Sequence, residues 1–282
     1  MKNKNTLLIV DGHNLLFQMF YGMPARIVNQ DGKAIQGVIG FVGALIKIIK
    51  QIEPSHMVVL FDGEHENPRA ELLPEYKDNR IDYSQVGEED NPFSQLEDVY
   101  HALDYMGIRH CETVDVETDD VIASYAFSYG KMPIVIASWD SDFFQLITEQ
   151  VSILRYRGKC TTICDKAYIE AKFQITPEQY ADFKSLVGDQ ADNIKGAEKI
   201  GPKTASALLH QYGSLEEILA HVEDIARKAI RESILKNTER LRVNYEIIKL
   251  NDSATIPFSI EELEYHYNNI KTNDVLRGIA LT

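Results

Sequence analysis

Asp115-Val116-Glu117-Thr118-Asp119-Asp120-Val121-Ile122-Ala123, read with Ser138-Trp139-Asp140-Ser141-Asp142, decides how this chain folds. Between the two runs, Ser124 to Lys131 reads as a helix and Pro133-Ile134-Val135-Ile136-Ala137 as a short buried strand. That order brings both acidic runs to one edge of a sheet. Carboxylates crowded in a low-dielectric pocket repel one another and take up protons unless a cation neutralises them. Glu117, Asp119, Asp120, Asp140 and Asp142 are therefore candidate metal ligands, and an all-oxygen donor set favours Mg²⁺ or Mn²⁺ over zinc. The competing reading has Thr118 capping a helix whose first turn carries the acids, where the helix dipole favours them.

Working outward, Leu7-Leu8-Ile9-Val10 reads as a buried strand closed by Asp11-Gly12, and Asn14 to Gly22 as the helix or turn after it. Met57-Val58-Val59-Leu60-Phe61 repeats the pattern and closes with Asp62-Gly63. One Asp-Gly is explained by a turn. Two, each ending an apolar strand, place acids where open α/β sheets put their ligands. Between these strands, Val38, Phe41, Val42, Leu45, Ile46 and Ile49 share one face of a helix over Gln36 to Ile52.

Glu64 to Pro92 has little apolar periodicity and is long for a connection, as functional loops often are. Arg69, Lys77 and Arg80 within it are candidate phosphate contacts, and Tyr76 offers a stacking face for a base. Solvated charge on a mobile loop is the plainer alternative. Phe93 to Met106 reads as a helix, Ile108 to Cys111 as a strand, Phe143 to Ile147 as a brief helix and Val151 to Leu154 as another strand. The alternation predicts a largely parallel, three-layered α/β sheet. Past Lys166 the pattern turns almost wholly helical. There Asp189 and Asp192, three apart, present their carboxylates in one direction if their turn is helical. Gly201-Pro202-Lys203-Thr204-Ala205 reads as a turn opening a helix whose N–H groups, with Lys203, suit a phosphate. It is not a P-loop, because the glycine spacing is wrong.

The 282 residues, 44% apolar, suffice for one large domain or a main domain with an appendage. A net charge of -14 argues against broad, nonspecific attraction to nucleic acid, although basic residues gather locally around Arg69 to Arg80 and Lys195 to Lys203. Cys111, Cys160 and Cys164 fit a reducing compartment and lack zinc-finger partners. No stretch reads as a targeting or membrane segment, so the expected location is the cytoplasm.

Taken together, these blocks resemble the 5′ nuclease family: the N-terminal nuclease domain of bacterial DNA polymerase I, phage 5′ exonucleases and flap endonucleases. The resemblance rests on five blocks in the family's order. They are Leu8-Ile9-Val10-Asp11-Gly12; Phe61-Asp62 with Arg69, Tyr76-Lys77 and Arg80; Glu117-Thr118-Asp119-Asp120; Asp140-Ser141-Asp142; and Gly188 to Asn193 with Ile200 to Ala205. It implies a PIN-like α/β core over 1–165, including an arch over 64–92. A helical part over 166–250 would follow, with a helix-hairpin-helix near 186–210, and then a tail over 251–282 that matches nothing readable. One metal position would be held by Asp11, Asp62, Glu117 and Asp119 with Asp120 close by, the other by Asp140, Asp142, Asp189 and Asp192. Asp11 and Asp119 would thus stand at the catalytic centre, Lys77 and Arg80 would steer the scissile phosphate, and Tyr76 would stack on a nearby base.

By the same resemblance, Gly196, Lys199, Gly201, Lys203 and Thr204 of the hairpin would grip duplex DNA by its backbone, with a K⁺ ion. The implied substrate is DNA with a 5′ flap or a 5′ end beside duplex, cut to a 5′-phosphate and a 3′-hydroxyl with two Mg²⁺ ions, Mn²⁺ substituting. A stand-alone, monomeric nuclease acting beside replication or repair proteins is the expectation. Two departures stand out. The family usually carries Gly at the position of Lys199 and Pro at that of Lys195, and a small residue at that of Trp139. A PIN-type ribonuclease is disfavoured by the block from Gly188 to Ala205, and a non-catalytic binder of branched DNA by the full set of acids.

Overall fold

Leu7–Asp11 (β1) is apolar at four successive positions because both faces of the strand are covered, and all five residues are buried. The structure is a computed structural model that describes residues 5–63 and 68–281. Residues 64–67, where the expected arch begins, lie outside the described residues, as do 1–4 and 282. Gly12–Gly22 (α1) follows β1, then Gln36–Ile52 (α2) and His56–Asp62 (β2). Pro68–Leu72 (α3), Leu96–Tyr105 (α4) and Arg109–Thr113 (β3) come next. Thr118–Ser128 (α5), Ile134–Ala137 (β4), Val151–Arg155 (β5) and Thr162–Cys164 (β6) complete the sheet region.

The six strands lie in the order β3-β2-β1-β4-β5-β6. All neighbours are parallel except β5 and β6. The chain runs outward from β1 through β2 to β3, then returns to β4 on the other side of β1. That reversal opens a crevice at the carboxyl ends of β1 and β4, where sheets of this kind hold their ligands. Asp11 closes β1 in register with Leu60 of β2, and Ser138-Trp139-Asp140 follows β4 directly.

Alternate residues of β1 feed two cores. Leu7 and Ile9 join Val58, Leu60, Ile134 and Ile136 with Ile122 and Tyr125 of α5. Leu8 and Val10 join Val59 with Phe41, Leu45 and Ile49 of α2. Each such fully buried side chain contributes about 1.5–3 kcal/mol relative to exposure, so the sheet is held from both faces.

The helical part consists of Lys166–Phe173 (α6), Tyr180–Val187 (α7), Pro202–Tyr212 (α8), Leu215–Ala220 (α9) and Lys228–Ile248 (α10). Between α7 and α8 the two-residue strands Gly188–Asp189 (β7) and Ile194–Lys195 (β8) pair antiparallel. Gly188 (φ +84°) and Gly196 pass so closely that a Cβ on Gly188 would sit 2.5 Å from the Gly196 nitrogen.

Two expectations are corrected. The helix anticipated at Ser124 begins at Thr118, inside the acidic run, because a carboxylate from another strand caps it: Thr118 N–H donates to Asp62 Oδ1 at 2.9 Å. The tail is no loose end. Tyr265 N–H donates to the Ser55 carbonyl at 2.8 Å, and the Tyr125 hydroxyl donates to the Phe258 carbonyl at 2.9 Å. Thr272–Gly278 (α11) buries Val275 and Leu276 against α2 and α4. Among the described residues, no helix is long and apolar enough to cross a membrane.

Candidate active site

Asp11 ends β1 and caps α1, its Oδ1 accepting the Asn14 N–H at 3.1 Å. Its Oδ2 accepts the Ser138 hydroxyl at 2.8 Å, and the same hydroxyl accepts the Asp140 N–H at 3.0 Å. One serine thus ties the carboxyl ends of β1 and β4 together. Asp62 ends β2, and Asp119 stands in the first turn of α5. Burial first, then the charges of Asp62 and Asp140, push the Asp11 carboxyl up to about 7. Asp119 is driven well above the ordinary carboxylate range by burial and by Asp140, with Asp62 and Asp11 adding to the effect and Lys77 opposing it. Asp62 goes the other way: burial would raise it, but hydrogen bonding from His13 and the Thr118 N–H holds it low. Asp11, Asp62, Asp119 and Asp140 therefore form one mutually repelling group.

Beside it, Asp142, Asp189 and Asp192 each offer a carboxylate oxygen within 4.8 Å of the others. Asp140 links the two groups, since its Oδ1 accepts the Asp142 N–H at 2.8 Å. Asp189 and Asp192 converge without the helical turn expected for them. They flank the tight link between β7 and β8, where Ala191 N–H folds back onto Asp189 Oδ1 at 2.9 Å and Asn193 takes φ 57°.

Glu117 lies behind the first group. Its Oε2 meets Arg69 Nη1 at 3.0 Å and Lys77 Nζ at 3.1 Å, while its buried Oε1 has no hydrogen-bond partner. A buried carboxylate oxygen left orphaned, two residues from Asp119, whose pKa burial and neighbouring acids raise, fits a divalent ion. The donors are all oxygens, as Mg²⁺ or Mn²⁺ requires.

Asp120, expected close by a metal, is engaged by the chain itself. Its Oδ1 accepts Arg69 Nη2 at 2.8 Å and the Asn251 N–H at 2.9 Å, so it pins α3 and the end of α10 to α5. Arg69 likewise is no open phosphate contact: its side chain is buried between Glu117 and Asp120, and Nε donates to the Ile247 carbonyl at 2.9 Å. Tyr76 does not present a stacking face, because its ring is buried with Ala181, Ile194, Ile247 and Ile248. The neighbouring Lys77 ammonium lies 4.7 Å from that ring's centroid. It reaches the site from a left-handed backbone (φ 59°), while its own N–H donates to the Asp192 carbonyl at 3.1 Å. Burial would lower the Lys77 pKa, but Glu117 and Asp119 hold it above the ordinary value. Arg80 is half exposed and binds Asp192 Oδ1 through Nη2 at 2.8 Å.

Of the hairpin residues, Lys199, Gly201 and Lys203 are exposed and Gly196 and Thr204 half-buried. Gly201 caps α8, with Pro202 in its first turn. Lys199 takes φ 67°, the conformation that glycine adopts without strain. Trp139 packs: Nε1 donates to the Tyr156 carbonyl at 2.9 Å, and the Arg155 guanidinium lies 5.5 Å from its ring centroid.

Sequence reasoning missed Ser138 and Lys184. The Lys184 ammonium is buried and contacts Asp142 Oδ1 and Asp189 Oδ2 directly. Its only sequence signal is a charge set among Tyr180, Ala181, Phe183 and Leu186 on the buried part of α7.

The family model described as "5'-3' exonuclease, N-terminal resolvase-like domain" matches residues 6–174, and "5'-3' exonuclease, C-terminal SAM fold" matches 175–271. The chain belongs to the 5′-3′ exonuclease family. Among curated relatives, thermostable DNA polymerase I of Thermus aquaticus is 32% identical over 260 residues, covering 92% of this chain and 30% of that protein. The chain thus spans about 30% of the length of such relatives. Among solved structures, the bacteriophage T5 5′-exonuclease with bound divalent metal ions (zinc) superposes with a TM-score of 0.72 at 23% identity, covering 98% of this chain and all of that one. A T5 flap endonuclease in a pseudo-enzyme-product complex with DNA and metal ions gives 0.71 at 22%, with the same coverage. At these identities the T5 structures establish the shared fold. Membership in the 5′-3′ exonuclease family makes the chain a nuclease, a hydrolase of phosphodiester bonds.

Proposed function

We propose that this chain is a structure-specific 5′ nuclease, acting on DNA as a flap endonuclease and 5′-3′ exonuclease in replication and repair. The observation that carries this reading is the convergence, at the carboxyl ends of β1, β2 and β4, of two touching carboxylate groups beneath Lys77 and Arg80. The T5 relatives solved with DNA and with metal ions lend it support.

In this reading Asp11, Asp62, Glu117 and Asp119 hold one ion and Asp140, Asp142, Asp189 and Asp192 a second. Two Mg²⁺ ions, with Mn²⁺ able to replace them, would supply an activated water and stabilise the leaving oxygen. Ser138 keeps Asp11 and Asp140 in a fixed mutual orientation. Lys77 and Arg80 exchange their carboxylate partners for the scissile phosphate as DNA enters. Arg69, Asp120 and Tyr76 anchor the segment that carries those two cations, so that Lys77 and Arg80 arrive in fixed positions. The described part of the expected arch, residues 68–92, lies over the site within the nuclease core 1–165. In the helical part 166–250, Gly196, Lys199, Gly201, Lys203 and Thr204 grip the duplex backbone, with K⁺ at the hairpin. Residues 251–282 brace the core. The protein works as a cytoplasmic monomer on a 5′ flap or a 5′ end beside duplex.

Product analysis tests the chemistry. Digestion of a duplex in Mg²⁺ should proceed from the 5′ end and release fragments with a 5′-phosphate and a 3′-hydroxyl. Products ending in a 3′-phosphate would overturn the proposal.

A further inference from the structure

The two acidic groups differ in how they are neutralised. Among the described residues, Asp11 and Asp119 make no direct ion pair, and Glu117 keeps one oxygen without a partner. In the second group Asp142, Asp189 and Asp192 are each already engaged by a cation of the chain itself. The Lys184 ammonium bridges Asp142 and Asp189, lies 3.5 Å from Ser141 Oγ, and belongs to a side chain only 7% exposed. Arg80 holds Asp192 at 2.8 Å. A lysine buried this deeply is stable only because it is paired. Its charge stands between two of the three carboxylates that converge within 4.8 Å, the space a divalent ion would take.

We infer that Lys184 is a tethered counter-cation that competes with the second metal ion, so that this ion binds weakly to the free protein. The inference rests on the two-ion reading proposed above and assigns an order within it. In the first group the chain's cations reach Glu117 and leave Asp11 and Asp119 without a direct ion pair, so that group takes its ion readily. The second must first release the Lys184 ammonium, and Arg80 must leave Asp192 for a phosphate. Occupancy of the second position is thereby tied to the presence of DNA, and an ion pair rather than an empty cage marks the resting state. Lys184 is a positioning residue in this scheme and touches no reacting atom.

The test is Mn²⁺ binding to the full DNA-free chain, followed by the paramagnetic signal of the free ion. The wild type should bind one ion tightly and a second weakly. Lys184→Met should tighten the second by about tenfold or more, the scale expected when a like charge a few ångströms away is removed. Lys184→Arg, which keeps the charge, should leave the second ion weak. The Met variant should also melt lower than wild type in EDTA and gain more on adding Mn²⁺, since Asp142 and Asp189 lose their shared cation. Unchanged affinity and stoichiometry in Lys184→Met, with wild type binding two ions, would overturn the inference and leave the two-ion reading standing. No Mn²⁺ binding to wild type at all would overturn both. If the Met variant does not fold, wild-type crystals soaked at rising Mn²⁺ decide the matter: the second anomalous peak should grow only as Lys184 leaves Asp142, and a second ion coexisting with the intact bridge would refute the competition.

Discussion

Arg80 Nη2 lies 2.8 Å from Asp192 Oδ1, and the N–H of Lys77 donates to the carbonyl of that same Asp192. The segment over the site is therefore fastened to the turn that carries two of the candidate ligands. Asn79 and Asn193 extend the clamp, donating to the carbonyls of Gln190 and Glu75 at 3.2 and 3.0 Å. Arg80→Ala should leave the fold intact but speed protease cleavage within residues 74–92 of the DNA-free protein. Unchanged cutting rates would show that the clamp does not hold the segment.

Asp119 shares its surroundings with Asp11, Asp62 and Asp140, at the centre of the first group. Asp119→Ala should lower the cleavage rate by at least about 10²-fold, as loss of a main electrostatic element does. DNA binding, which the proposal assigns to contacts away from the acids, should persist in a gel-shift measurement. A variant that cuts at the wild-type rate would contradict the metal assignment.

Lys77 reaches Glu117 from a largely exposed segment anchored by the buried ring of Tyr76. Lys77→Ala should slow cleavage far more than it weakens binding if, as proposed, its ammonium leaves Glu117 for the reacting phosphate. Single-turnover rates and binding constants on one substrate separate the two effects. Equal losses would make Lys77 a plain anchor.

Tyr76→Ala removes a ring packed on Ala181, Ile194, Ile247 and Ile248. A cost of about 2–5 kcal/mol follows from the cavity and the lost burial, readable by denaturant titration. A fully stable variant that had lost only DNA affinity would restore the stacking role the sequence suggested.

Without metal, stability should fall as pH rises. The folded chain holds the Asp11 proton up to about 7, against an ordinary 3.8, mainly through burial. Between about 4 and 7 the folded state thus binds more protons than the unfolded one, and raising the pH through that window destabilises it. Asp62, held low, works the other way and only at more acidic pH. Melting temperatures in EDTA should decline from pH 5 to 8. Asp11→Asn should flatten the decline, and Mg²⁺ should largely abolish it.

The sheet was legible because its central strands are buried on both faces and so appear as unbroken apolar runs, as in Leu7 to Val10 and Ile134 to Ala137. Helix α2 was legible from periodicity, and the resemblance to the 5′ nuclease family is borne out by the family models over 6–174 and 175–271. What escaped depends on partners distant in the chain. Helix α5 carries the acids in its first turn, as the competing reading of that run has it, but Thr118 is its first residue rather than its cap, and the capping carboxylate of Asp62 comes from β2, which no local pattern shows. The tail lacks periodicity, since its order comes from Ser55, Tyr125 and α2. Arg69 and Tyr76 read as surface groups in a polar stretch, whereas the fold turns both inward. Lys184 drew no reading, because the two aspartates that hold it, Asp142 and Asp189, come from other elements of the fold.

The most direct test of the central claim is cleavage of an end-labelled 5′-flap duplex, compared with the matching single strand and an RNA of the same sequence, in Mg²⁺ or EDTA. The account predicts cutting at the flap junction in Mg²⁺, little on the other two substrates, and none in EDTA. Tight binding of the flap without cutting, or cutting undiminished by EDTA, would contradict it.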